Sequence, residues 1–227
     1  MGVPIKGSAI LFSEMTPPEG GEDLFNDWYD NHHAPSHVNG VPEFLSAQRY
    51  ISPSGPHYLA IYDLDSPAAL DSEEYRSRKY TPDAPTKEML SSVTGFTRYI
   101  GNEISFQVQE GLTPEQALDA EMVIPVFFAA PAEHWSELVE WYQTEHTPLL
   151  LGCEDWLMTR HMEIVDFNPH PYSHVMLHYV RSDAVMQSPV VACSRDTDEY
   201  KRLKATDWYD PHFSFYGRRE KRFIPNS

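Results

Sequence analysis

Cysteine is nearly missing from this chain: its 227 residues hold two, Cys153 and Cys193, 40 positions apart and in no Cys-x-x-Cys pair. That fits two ordinary thiols in a reducing compartment better than a disulfide framework. Positive charge is scarce too, with 17 Lys plus Arg against 34 Asp plus Glu, a formal net charge of −17. A field of that sign repels phosphate backbones and anionic lipid, so neither nucleic acid nor a membrane surface is an expected partner. Long apolar runs are lacking as well. The longest, Met122 to Pro131, is about half of the ~20 residues that a spanning helix needs. Met1 to Lys6 lacks the apolar core of a signal peptide, and Gly7 stands where a myristoylation signal wants Ser or Thr. The expected location is the cytoplasm. There is no Gly-rich phosphate loop, no Gly-x-Ser-x-Gly and no Cys–His pairing.

What is present is an internal repeat. Phe25 to Pro35 (Phe-Asn-Asp-Trp-Tyr-Asp-Asn-His-His-Ala-Pro) matches Leu138 to Pro148 (Leu-Val-Glu-Trp-Tyr-Gln-Thr-Glu-His-Thr-Pro). Trp28, Tyr29, His33 and Pro35 meet Trp141, Tyr142, His146 and Pro148 at a constant offset of 113. Further on, Gln48-Arg49-Tyr50 answers Thr159-Arg160-His161 at an offset of 111. A period this long suits a duplicated small domain rather than a solenoid.

Each copy reads βαββαβ, the order of a ferredoxin-like unit. In the first, strands are expected over Ser8 to Glu14, Phe44 to Ile51, His57 to Tyr62 and Phe96 to Val108. Helices are expected from Glu22 to about His33 and from a Ser66 N-cap, with Thr81 to Thr86 a polar connection. In the second, strands fall over Glu121 to Ala129, Asp155 to Val165, Tyr172 to Val180 and Phe213 to Phe223, with helices at Glu133 to His146 and Thr197 to Lys204. The expected domains are 1–109 and 121–227, joined by a linker over 110–120 with a helical turn after Thr113-Pro114. A lone sheet of this kind leaves one face bare. A second copy in the same chain can cover that face, so the expected fold class is α+β, two tandem ferredoxin-like units packed sheet-to-sheet as an intrachain α+β barrel.

On a helix Tyr29 and His33 share a face and Trp28 flanks it. Pro35 should end or kink that helix near His33, placing the imidazole at the negative end of the helix dipole and favouring its charged form. A titratable His beside a Tyr hydroxyl and an indole face suits proton transfer to an aromatic ligand. Trp141, Tyr142 and His146 repeat the set. The alternative is plain: aromatics at helical spacing pack cores, and a His before Pro can satisfy the last carbonyls. Arg49 and Arg160 offer an anchor for a substrate carboxylate or phenolate, or an ion pair with one of the many acids. Tyr58, Ala60 and Tyr62 share a strand face, matched by His174, Met176 and His178, as packing or as pocket wall. His33 and His37 have metal-ligand spacing, but Pro35 interrupts the helix and no His-Glu-x-x-His pattern is present, so no metal is expected. The one basic run, Arg218 to Arg222, reads as a solvated edge or a subunit contact.

The Phe25 to Pro35 run, followed by Val41-Pro42-Glu43-Phe44-Leu45-Ser46-Ala47-Gln48-Arg49-Tyr50, resembles the dimeric α+β barrel superfamily, nearest its EthD-like branch. Members carry an aromatic pair, a His, a Pro and then a Pro-Gly-Phe-x-x-Ala-x-Arg-Tyr strand; Glu43 stands here in place of that Gly, and the second copy's strand keeps the Arg but loses the Pro, Gly and Tyr. The resemblance implies a pocket between sheet and helices, with His33 as acid or base, and His146 likewise in the second copy. The combined expectation is a cofactor-independent lyase acting on a small aromatic or phenolic compound. His33, Tyr29 and His146 would be catalytic, and Trp28, Arg49, Tyr62, Trp141, Tyr142, Arg160 and His178 would bind substrate. The alternatives are a cofactor-independent monooxygenase of phenols and a non-catalytic small-molecule or haem-binding module. A homodimer of the two-repeat chain is a further expectation.

Overall fold

In a computed structural model of the chain, residues 4–226 are described. Positions 1–3 of the amino-terminal segment read above, and residue 227 at the end of the second repeat, lie outside the described residues. The chain divides into two compact units: one reaches Asn102 and takes back the chain from Arg219 onward, the other is Glu103–Arg218. Both are ferredoxin-like α+β units.

In the first unit, β1 (Ala9–Met15), β2 (Phe44–Ile51), β3 (Tyr58–Leu64) and the start of β4 (Arg98–Val108) form an antiparallel sheet in the order β4-β1-β3-β2. Period-2 alternation places Ala9, Leu11 and Met15 of β1, and Tyr58, Ala60 and Tyr62 of β3, on the face that meets the helices. They close a core with Phe25, Trp28 and Tyr29 of the first helical stretch, so the strand-face residues are at once packing and wall.

That stretch departs from expectation. Of the two outcomes expected at Pro35, an end or a kink near His33, the end is not found: helix α1 (Glu22–Trp28) passes through a π turn (Tyr29–His33) into α2 (Ala34–Gly40). The Ala34 N–H bonds back to the Tyr29 carbonyl, five residues away rather than four. Pro35 lacks an N–H and would crowd the carbonyl of Asn31 in a regular α-helix; the widened turn removes that clash, so the helix continues. His33 accordingly lies inside a helix and not at its carboxyl end, which withdraws the dipole argument for its charged form.

The second connection is also more helical than expected. Ser66 opens a 3-10 turn (Pro67–Asp71) without a side-chain cap, and Ser72 caps α3 (Glu73–Tyr80) through the Tyr75 N–H. The polar segment Thr81 to Thr86 is not all loop: Asp83 accepts from the Thr86 N–H and starts α4 (Ala84–Ser92), with Pro85 in its first turn, where a missing N–H costs nothing. Ahead of the second unit's sheet, Thr113 and Gln116 form a reciprocal capping box on α5 (Pro114–Ala117).

The second unit repeats the plan with β5 (Met122–Phe128), β6 (Trp156–Asn168), β7 (His174–Val180) and the start of β9 (Tyr216–Phe223), in the order β9-β5-β7-β6; residues 103–108 of β4 lie beside β6. The expected last strand is broken, because β8 (His212–Phe213) pairs with β5 separately. Its helices are α6 (Trp135–Trp141), a π turn (Tyr142–His146), α7 (Thr147–Leu150), α8 (Pro189–Ser194) and α9 (Asp198–Lys204). The second π turn carries the same five-residue bond, Thr147 N–H to Tyr142 carbonyl, ahead of Pro148. Among the described residues, no helix is long and apolar enough to cross a membrane, and both cysteines are free thiols.

The basic run is no solvated edge. In the first unit Arg222 reaches the fully buried Asp63 and Arg219 lies over the Tyr58 ring; in the second Arg218 pairs with Asp119. Alternation on a strand sends these charges to different faces, and the acids waiting there bring them in.

Candidate functional site

A cavity of about 500 Å³ opens between the sheet and helices of the first unit. Its buried end carries Tyr29 and His33 from the π turn, His37 from α2 and Tyr62 from β3; its rim is formed by exposed residues such as Lys79 and Thr81 at the α3–α4 junction and Phe96 ahead of β4. The size falls within the range of small-molecule sites, and its walls are mostly apolar or aromatic with a few converging polar groups.

The π turn makes the cluster. By widening one helical turn it brings His33 against Trp28, with the rings stacked at 4.4 Å, and against the edge of Tyr29 at 5.0 Å. The His37 ring follows at 4.5 Å. Burial, with the positive neighbourhood of His37 and His32, holds the His33 pKa well below its ordinary 6.5. Burial does the same for His37. Both imidazoles are neutral at pH 7, the opposite of the charged state that a helix end would have favoured. His37 donates Nδ1–H to the His33 carbonyl at 2.9 Å, which leaves its Nε2 as an acceptor. Neither ring nitrogen of His33 has a protein hydrogen-bond partner among the described residues. Tyr62 donates its hydroxyl to Tyr29 at 3.2 Å, and burial raises both phenol pKa values, so the pair keeps its protons and Tyr29 has one to give. The site thus joins two neutral bases to a phenol donor within an apolar wall. It can take a proton from a ligand and stabilise the anion so formed.

Two expected ligand contacts lie behind this wall. Trp28 does not line the cavity; one face is covered by His33, and its Nε1–H donates to Thr86 Oγ1 at 3.3 Å. Arg49 is not an anion anchor open to substrate. Its guanidinium pairs with Asp30, donates to Asn26 Oδ1 at 2.8 Å and lies 4.4 Å over the Tyr29 ring, 1% exposed. A cation so enclosed needs its carboxylate, and the acid on the next helical turn supplies it. Sequence reasoning considered His37 only for metal spacing and did not reach Tyr75 or Arg78, which also line the cavity. Their place depends on α3 folding back over α2, for which no local pattern speaks.

The second unit repeats the geometry with different chemistry. Trp141 and His146 rings are 4.5 Å apart at 30°, and Tyr142 and His146 are 5.0 Å apart at 75°. Its cavity is about 220 Å³, lined by Tyr142, His146 and His178 among others, while Trp141 lies outside it. His178 takes the position of Tyr62, each directly opposite a β-branched or γ-branched neighbour on the unit's first strand (Ile124 and Leu11). Desolvation lowers His146 to about 3 and His178 well below its usual value.

The strand register corrects one correspondence. Ala47 stands opposite Tyr62 and Thr159 opposite His178, so the offset on these strands is 112 and the counterpart of Arg49 is His161, not Arg160. Arg49 accordingly lies on Tyr29, and His161 lies 5.8 Å from Tyr142. A one-residue slip moves a side chain to the opposite face. Arg160 points away from the cavity and gives its Nε–H to Glu103 at 2.6 Å.

No protein-family model and no curated protein matches the chain. Solved structures do. An anthrone oxidase-like protein is similar over 96% of this chain and 94% of its own, with a TM-score of 0.66 at 12% identity. A candidate monooxygenase from Lactobacillus acidophilus is similar over 96% of both chains, with a TM-score of 0.58 at 9% identity. A mutant chlorite dismutase from Candidatus Nitrospira defluvii covers 93% of this chain and 91% of its own, with a TM-score of 0.52 at 11% identity. At such identities the likeness is one of fold.

Proposed function

We propose that the protein is a cofactor-independent oxygenase of an electron-rich phenolic or anthrone-like compound, acting in the cavity of the first unit. The observation that carries this reading is the pair of neutral imidazoles, His33 and His37, beside the Tyr62–Tyr29 hydroxyl chain on one aromatic-walled space. His33 takes a proton from the phenol, or from a carbon acidified by a neighbouring carbonyl, and Tyr29 donates a hydrogen bond to the resulting oxyanion. The anion gives its electrons to dioxygen, a carbon–oxygen bond forms, His33 returns its proton to the outer peroxide oxygen, and the hydroperoxide loses water to leave a carbonyl. Dioxygen is the oxidant; one of its atoms stays on carbon and the other leaves as water. A lyase would begin with the same proton transfer and end without oxygen uptake. The names borne by the anthrone oxidase-like protein and the Lactobacillus protein support the oxygenase over the lyase.

Placement in the EthD-like branch belongs to the same proposal and rests on the Phe25 to Pro35 run and its following strand. The test is oxygen uptake with a panel of phenols and anthrones, run in air and anaerobically. Uptake matched to substrate loss supports the oxygenase; anaerobic turnover selects the lyase; no turnover in either condition overturns both.

A further inference from the structure

The chain carries twice as many acids as bases, yet Arg78, Lys79 and Arg98 all line the first unit's cavity. The acid that lines it, Asp83, is already engaged: one oxygen accepts from the Thr86 N–H at 2.9 Å, the other meets His32 Nε2 at 2.6 Å. Arg78 makes no ion pair among the described residues. It is instead held by neutral groups, with Nε–H donated to the Ser36 carbonyl at 3.2 Å and one NH1 proton to the Glu74 carbonyl at 2.8 Å. The remaining amino group rests against Gly40: a Cβ built there would fall 1.9 Å from NH2. A guanidinium fixed by carbonyls keeps its charge and spare donors available.

We infer that Arg78 is the anion anchor of this cavity and that the ligand is an aromatic carboxylate, its acid group on Arg78 and its ring system reaching toward His33 and Tyr29. The planar fork of a guanidinium matches a carboxylate's two oxygens, and a carboxylate is the partner that this arginine lacks. Lys79, exposed at the rim beside it, adds to the field that draws an anion into an otherwise acidic molecule. Gly40 acquires a role here. It is not in a positive-φ conformation, so only the seat of the guanidinium asks for the missing side chain. The inference rests on the first unit's cavity being the ligand site and names the substrate class of that site.

The test is equilibrium binding under nitrogen, using 2-naphthoate and its neutral isostere 2-naphthamide with the full chain, read by calorimetry. The wild type is expected to favour the acid by about tenfold or more, as for a hydrogen bond to a charged group. Arg78→Met should bring the two probes to similar affinity, and Gly40→Ala, which keeps the charge but displaces the guanidinium, should lose most of the preference. Amide binding reports that each variant retains its cavity. Should Arg78→Met fail to fold, Gly40→Ala alone decides. Equal affinities in the wild type, a preference that survives these substitutions, or binding of neither probe would overturn the assignment. Because the probes do not turn over and oxygen is excluded, failure of the oxygenase reading leaves this result standing, and the reverse also holds.

Discussion

At the scale of single residues, the same side-chain types do opposite work according to what encloses them. His33 and His37 are neutral because burial disfavours their charged forms, so the base is already in its working state near pH 7. With the substrate that the uptake screen identifies, kcat/KM should therefore hold through pH 6.5 and fall only at lower pH, where a depressed imidazole finally takes its proton. His33→Gln should lower kcat by about 100-fold or more, the usual worth of a positioned base, with little change in the melting midpoint. Arg49 behaves in the contrary way. Its charge serves Asp30, so Arg49→Leu should cost on the order of 3 kcal/mol of stability in urea titrations while 2-naphthoate affinity stays within about twofold. From the sequence, Arg49 and Arg78 are both arginines among many acids. Nothing local says that one has a carboxylate partner and the other carbonyls.

At the scale of elements, the repeat and its strands were legible, but helix endings were not. Pro35 and Pro148 are normally read as stops, and the rule fails here because a π turn removes the steric cause of the stop. The consequence is functional: the wide turn sets His33 on Trp28 and faces it into the cavity. Pro35→Ala restores an N–H and lets the turn relax toward α geometry, rotating His33 relative to Tyr62. The expected outcome is a clear loss of turnover and displaced His33 ring resonances by NMR, with a melting midpoint within about 3 °C of the parent. Helix α4 was hidden for a simpler reason, since a Pro-rich polar stretch looks like loop until its cap is seen. Asp83 holds that cap and also meets His32, so Asp83→Ala should destabilise by about 1 kcal/mol, read as a lower urea midpoint.

At the scale of the molecule, one consequence follows from the buried imidazoles of the second unit. His146 and His161 are held at about 3, His174 at about 4 and His178 well below its usual value, all chiefly by desolvation. An unfolded imidazole takes its proton near pH 6.5, whereas these do not. As the pH falls from 7 to 5 the unfolded chain gains protons that the folded one refuses, and stability drops. Each such group contributes about 2 kcal/mol of loss over that interval. Urea midpoints should therefore fall steeply between pH 7 and 5, above the range in which carboxylates protonate. His161→Phe should blunt the fall and raise stability at pH 7, because neither ring nitrogen of His161 has a hydrogen-bond partner among the described residues.

The sequence by itself determined the duplication, the βαββαβ order of each unit and the shared face of Tyr29 and His33, because these follow from local periodicity and from an i, i+4 spacing. Tertiary structure alone decided the rest. The charge state of His33 depends on how much water reaches it, and the role of each arginine on which acid lies across the fold. That Arg49 and His161 hold equivalent positions in the two repeats depends on a strand register that identity matching set one residue away. Burial, charge pairing and register are long-range quantities, and no short window of residues contains them.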